Sequence, residues 1–172
     1  MRHNNLAEMF FSTAERLGER TAYMHKPENE YLSVNFNEAK ESVQKIAAGL
    51  ASLEIKAGDK VAVISENRFE WAFSDYAILS LGAITVPIYP SLLPEQVKYI
   101  LIDSEANVVI CSDEDQYVKV NQGRGQCPYL KSVVVMDPIK DDGKHISLSK
   151  LKEKGAELLE KNPELIKEQV KK

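Results

Sequence analysis

The 172-residue chain has two cysteines, Cys111 and Cys127, and one tryptophan, Trp71. Two isolated cysteines build no disulfide framework, and in a reducing compartment both are expected to be free thiols. No apolar run approaches the roughly 20 residues that span a bilayer, so no transmembrane segment is expected. The N-terminal stretch MRHNNLAEMFFSTAERLGER becomes charged again within a few positions and lacks a small-residue cleavage site, which argues against a secretory signal. A cytoplasmic location is the resulting expectation. Neither sign of charge dominates. The net charge of -4 and pI of about 5.5 give no reason to expect a nucleic-acid partner.

What is present is a repeated grammar of helices and short Val/Ile runs. A helix is predicted over Leu6–Leu17, with Asn5 and Glu8 at capping-box spacing and Gly18 as its stop. Two short strands follow, over residues 22–25 and 31–34, with Pro27, Glu28 and Asn29 in the turn between them. Asn35 and Glu38 repeat the capping-box spacing before a helix whose apolar positions run Phe36, Ala39, Val43, Ile46, Ala47, Leu50 and Leu53. A turn at Ala57, Gly58 and Asp59 leads into residues 61–64, apolar throughout, as in a strand covered on both faces. A helix over 69–81 ends at Gly82. It is apolar on more than one face, and loss of its Trp71 ring should cost about 3–5 kcal/mol if that ring is enclosed. Strand Ile84–Ile88, a helix opened by Pro94, strand 107–111, a helix over 114–120 and strand 131–136 complete the pattern. This order implies an α/β fold. Its mostly parallel sheet carries helices on both faces through right-handed crossovers, preceded by a short helix and a hairpin. Residues 1–146 form this unit. Residues 147–172 read as a helical tail, capped by Ser147, weakened by Gly155 and interrupted at Asn162 and Pro163. Its charged end, 164–172, has little apolar surface and is expected to be frayed.

Chemistry is harder to find. A nucleotide loop between strand and helix needs small residues so that backbone N–H groups can approach phosphate. The three junctions read Ser-Glu-Asn-Arg, Tyr-Pro-Ser-Leu-Leu-Pro and Ser-Asp-Glu-Asp, and none is glycine-rich. Gly123 and Gly125 do not follow a strand and read as a surface loop. No Ser lies in a Gly-x-Ser-x-Gly elbow. His3, His25 and His145 lie far apart and lack metal-site spacing with one another or with the cysteines. Asp113, Glu114 and Asp115 could bind a cation, or could charge the start of the next helix, where the dipole favours acids. From the residues alone, no catalytic residue and no metal site is assigned.

Two stretches, AAGLASLEIKAGDKVAVISENRFEW and LSLGAITVPIYPSLLPEQVKYILIDSEANVVIC, resemble the start of the adenylate-forming superfamily. Gly82-Ala83, Val86-Pro87, Tyr89-Pro90, Glu95-Gln96, Tyr99-Ile100-Leu101 and Asp103-Ser104 are most similar to bacterial long-chain acyl-CoA synthetases. The resemblance covers about residues 5–136. It implies an ATP-dependent, AMP-forming ligase. In such an enzyme a fatty carboxylate attacks the α-phosphate of Mg2+-ATP, and the thiol of coenzyme A then displaces AMP. The family's Ser/Thr/Gly-rich loop, its acidic residues for ribose and Mg2+ and its C-terminal lysine have no counterparts here. The 172 residues are therefore expected to be an inactive N-terminal part that binds none of these groups tightly.

The resemblance also places the loop after the second buried strand, Tyr89, Pro90 and Ser91, near the coenzyme A nucleotide, with Lys119 close by. Some relatives carry glycines in that loop and arginines in the helix; this chain has Tyr-Pro-Ser, and Tyr117 and Lys119, instead. The alternative reading has Pro90 fixing the turn, Tyr89 packing on the sheet and Lys119 as a solvated charge. Other implications are peripheral membrane association of the longer enzyme and self-association of this part. Two further readings stay open: a ligase for another carboxylate, and a standalone non-catalytic binding module.

Overall fold

The computed structural model describes residues 3–26 and 29–171. Helix α1 (Leu6–Leu17) starts where the Asn5 side chain accepts the Glu8 N–H at 2.8 Å. The Glu8 carboxylate reaches Asn4 rather than the cap residue, at 2.7 Å. Strands β1 (Thr21–His25) and β2 (Leu32–Asn35) pair antiparallel as the expected hairpin. The Pro27 and Glu28 part of its predicted turn lies outside the described residues. Helix α2 (Phe36–Ser52) has the full capping box, with Asn35 and Glu38 each accepting the other's backbone N–H.

The central unit runs β3 (Lys60–Ile64), α3 (Phe69–Ser80), β4 (Ile84–Ile88), α4 (Pro94–Asp103), β5 (Val108–Cys111), α5 (Glu114–Gly123) and β6 (Ser132–Val135). Gly82, at φ 69°, takes the left-handed conformation that turns α3 into β4. The sheet has five parallel strands in the order β4-β3-β5-β6-β7. The last is β7 (Ile146–Ser147), a strand that the sequence pattern does not announce, its second residue being expected only as the cap of the following helix. Two residues are too few to show an alternating pattern.

Strand alternation sorts the core into two layers. Val61, Val63, Val108, Ile110 and Val134 pack with α1, α2 and α3, while Ala62, Ile64, Val109, Cys111, Val133 and Val135 pack with Val97 and Leu101 of α4 and Tyr117 and Val120 of α5. Each fully buried aliphatic side chain stabilises this arrangement by about 1.5–3 kcal/mol. The buried hydroxyl of Ser74 is satisfied within α3, donating to the Glu70 carbonyl at 2.8 Å. Trp71 packs against the core but is only partly buried, so the condition of an enclosed ring is not met: its neighbours Phe73, Ala77 and Ile78 fill the core side of α3.

β4 is an outer strand. The Ile84 N–H donates to the Asp59 carbonyl at 2.8 Å, so the amides of 84, 86 and 88 face β3 and positions 85 and 87 face outward. Position 87 is proline, tolerated there because no ladder bond needs its N–H.

The tail packs more closely than its charge implies. Ser147 caps α6 (Leu148–Lys161), accepting from Lys150 N–H at 3.2 Å, and Leu148 and Leu151 are buried against α2. Helix α7 (Leu165–Val170) buries Ile166 and Val170, which corrects the expectation that residues 164–172 have little apolar surface to bury. Two apolar residues four apart suffice to pack one short helix. The Asn5 side-chain amide that caps α1 also donates to the Val170 carbonyl at 2.9 Å. Among the described residues, no helix is long and apolar enough to cross a membrane.

Candidate functional site at the carboxyl edge of the sheet

In open parallel sheets, ligands bind outside the carboxyl ends of the strands, where the winding direction reverses. Here the chain passes from β3 outward to β4, then back across to β5. The reversal falls between β3 and β5, and the helix layer changes with it: α3 covers one face and α4 the other.

Side chains already fill that position. Arg68, from the loop after β3, donates to both carboxylate oxygens of Glu70 at 2.8 and 3.2 Å, and to Asp137, after β6, at 2.8 Å. It also reaches the Ser112 carbonyl, after β5, at 3.5 Å. The Ser112 hydroxyl, fully buried, faces Asp113 at 2.6 Å and Glu66 at 3.0 Å. One hydroxyl proton serves one acceptor at a time, so the two carboxylates share it. The hydrogen bond from Arg68 to Glu70 holds the guanidinium far above its ordinary pKa; burial opposes this and the bond to Asp137 adds to it. Burial would raise the Asp113 carboxyl, yet the Ser112 hydroxyl and the backbone N–H groups of Gln116 and Asp115 outweigh burial and hold it below the ordinary carboxylate value.

Asp113 thus caps α5, accepting the Gln116 N–H at 3.0 Å, which is the helix-start reading of the 113–115 acids. Sequence reasoning passed over Arg68, Glu66, Ser112 and Asp137 because it searched these junctions for glycine. The usable signal was polar residues placed immediately after fully apolar strands.

The four residues singled out by resemblance sit beside this network. Tyr89 is 77% exposed, so it does not pack on the sheet as the alternative reading had it. Ser91 is exposed and Pro90 partly so. Lys119 donates to the Pro90 carbonyl and to Gln116 Oε1, the latter at 3.1 Å. The structure thus joins Lys119 to Pro90 and leaves the Tyr89 ring in solvent. Between the β3 and β4 ends lies an open groove of about 610 Å³, lined by Ser65, Glu66, Asn67, Trp71 and residues 87–90.

Elsewhere, Asp141, Asp142 and His145 form the one metal-type cluster among the described residues. Asp142 is already engaged, accepting the Tyr117 hydroxyl at 2.6 Å and the Lys144 N–H at 2.9 Å, with His145 Nδ1 at 3.0 Å. A loop-bracing carboxylate beside a histidine does not fit the all-oxygen octahedron that Mg2+ requires. Cys111 and Cys127 are buried free thiols, and burial pushes both pKa values up. His25 packs edge-on against Phe69, with ring centroids 4.9 Å apart.

Comparison with known proteins places these features in a lineage. Residues 10–169 match the family described as AMP-binding enzyme. The long-chain-fatty-acid–CoA ligase FadD15 of Mycobacterium bovis is 36% identical over 132 residues, which is 77% of this chain and 22% of that protein. The chain thus spans less than a quarter of such curated relatives. Among solved structures, the long-chain-fatty-acid-CoA ligase FadD1 from Archaeoglobus fulgidus superposes with a TM-score of 0.75 at 27% identity. The match covers 87% of this chain and 30% of that one. The anthranilate CoA ligase AuaEII has the same fold, with a TM-score of 0.78 at 24% identity over 88% of this chain and 28% of its own. This chain belongs to the AMP-binding enzyme family.

Proposed function

We propose that the chain serves as the N-terminal part of a long-chain fatty acid–CoA ligase, which converts fatty acid, ATP and coenzyme A into acyl-CoA, AMP and pyrophosphate. The observation that carries this reading is the 36% identity to a long-chain-fatty-acid–CoA ligase over 132 residues. The proposed contribution of these residues is scaffolding. The parallel sheet presents its carboxyl edge, and Tyr89, Pro90, Ser91 and Lys119 form part of a wall on the coenzyme A side. Mg2+, when bound, neutralises phosphate charge. The acids described here do not suit it, and no step is assigned to it in this chain.

In the same reading residues 1–146 act as the α/β unit, residues 147–172 lead toward the phosphate-binding loop of a longer protein, and that protein works in the cytoplasm or at a membrane surface. Two assays test it. The 172-residue chain should give no palmitate-dependent exchange of pyrophosphate into ATP above a no-protein blank. The longer protein carrying this segment should form AMP only with palmitate, ATP and coenzyme A together. Exchange by the isolated chain would overturn the scaffolding role. A longer protein inactive on palmitate but active on an aromatic carboxylate would move the substrate.

A further inference from the structure

The carboxyl edge contains two internal cations, and both are directed at the protein itself. Arg68 is held by Glu70, Asp137 and the Ser112 carbonyl. Lys119 projects from the second turn of α5 to a turn that follows a different strand, 29 positions back in the chain. An ammonium carries three protons. One goes to the Pro90 carbonyl and one to the side-chain oxygen of Gln116, itself buried at 5% exposure. The backbone of Gln116 is fixed in turn by the Asp113 cap. The ammonium is therefore anchored on its helix side before it reaches the turn.

That turn is small. The Leu92 N–H closes it on the Tyr89 carbonyl at 3.2 Å, and Pro90 contributes no donor. The lysine contact ties it to α5. Tyr89 and Pro90 also wall the groove that contains Trp71, so the placement of this turn sets the shape of the groove.

We propose that Lys119 is a positioning residue, which fixes the turn of residues 89–92 and with it the Tyr89 wall of the groove, rather than a direct contact for an anionic ligand. The proposal rests on the reading of this edge as ligand-facing, but its geometry is testable without any ligand. Lys119→Met removes the donor and keeps most of the stem; Lys119→Arg keeps donors. In the 172-residue chain, amide exchange at Leu92, whose N–H closes the turn, should rise about tenfold in Lys119→Met, while exchange in β3 stays at the wild-type rate. Acrylamide quenching of Trp71 should increase in the same variant. Lys119→Arg should restore both readouts.

Unchanged exchange at Leu92 in Lys119→Met overturns the proposal. So does a uniform rise that includes β3, which would make Lys119 a general stability residue. A third arm titrates inorganic phosphate. Loss of phosphate-induced shifts in Lys119→Met with wild-type loop exchange would mark a direct anion contact, again overturning it. None of these readouts depends on ligase activity, so a failure here is separable from a failure of the palmitate assays.

Discussion

Gly155 of α6 lies directly against Gly49 of α2. A β-carbon at position 155 would stand 2.8 Å from the Gly49 amide nitrogen and would collide with the Lys45 carbonyl oxygen. Gly49 faces α6 one turn earlier, at Leu151: a β-carbon on Gly49 would lie 2.7 Å from Leu151 Cγ and collide with the Leu151 carbonyl. The two helices touch backbone to backbone. On helix propensity alone Gly155→Ala should stabilise by about 1 kcal/mol. The contact predicts the opposite, a loss of about 1–3 kcal/mol from overpacking. A reversible urea melt decides, and a raised midpoint would show that α6 can move away from α2 without cost.

Trp71 gives a second expectation. Its ring is partly buried on the wall of an open groove, so Trp71→Ala should cost less than the roughly 3–5 kcal/mol of an enclosed aromatic. Being the only tryptophan, it also reports on itself: its emission should be quenched readily by acrylamide in the native state. A cost within that range or above it, with quenching no greater than for a core indole, would place the ring inside.

Stability should depend on pH at both ends. The Asp113 carboxyl is held below its ordinary value in the fold, so its contribution is present above the ordinary carboxylate pKa and is lost as pH falls toward the depressed folded value. Tyr117 is pushed up to about 12, first by burial and then by its hydrogen bond to Asp142. Its contribution is present below the ordinary tyrosine value of about 10 and is lost as pH rises from there to about 12. Urea midpoints measured against pH should show both limbs. Asp113→Asn should flatten the acid limb and Tyr117→Phe the alkaline one; limbs unchanged by either substitution would contradict these assignments.

Arg68→Met leaves Glu70 and Asp137 without their cation while the fold keeps them close. A hydrogen bond to a charged group is worth about 1.5–3 kcal/mol, and a loss in that range is expected. The double variant Arg68→Met with Asp137→Asn should lose less than the sum of the two single variants, because the partners share one interaction. Strict additivity in a double-mutant cycle would show that the pair contributes no coupling.

Much of the fold was legible because its signals are local. Asn35 and Glu38 mark a helix start by spacing alone, and residues 61–64 declare a two-sided strand by being apolar throughout. Strand β7 was not legible: Ile146 and Ser147 are a strand only because β6 pairs with them. Nor was the role of Gly155, since propensity assigns glycine a cost and cannot report which backbone will press against it. The carboxyl-edge network was hidden for the same reason. Arg68 and Asp137 stand 69 positions apart, and only the strand order brings them together. Lys119 and Pro90 were named through resemblance, but the bond between them had no sequence signal.

Pro87 bears on how copies of this chain meet one another. On the outward side of β4, position 87 has no amide hydrogen to offer, which leaves Thr85 as the outward donor along that strand. An incoming strand would find a broken row of partners, so the edge makes a poor template for polymerisation of the sheet. The exposed side chains of Tyr89, Leu93 and Tyr99 near this edge offer an apolar surface instead, and association through it should weaken as those residues become polar. Ordered fibrils growing along the sheet direction are not the expected product.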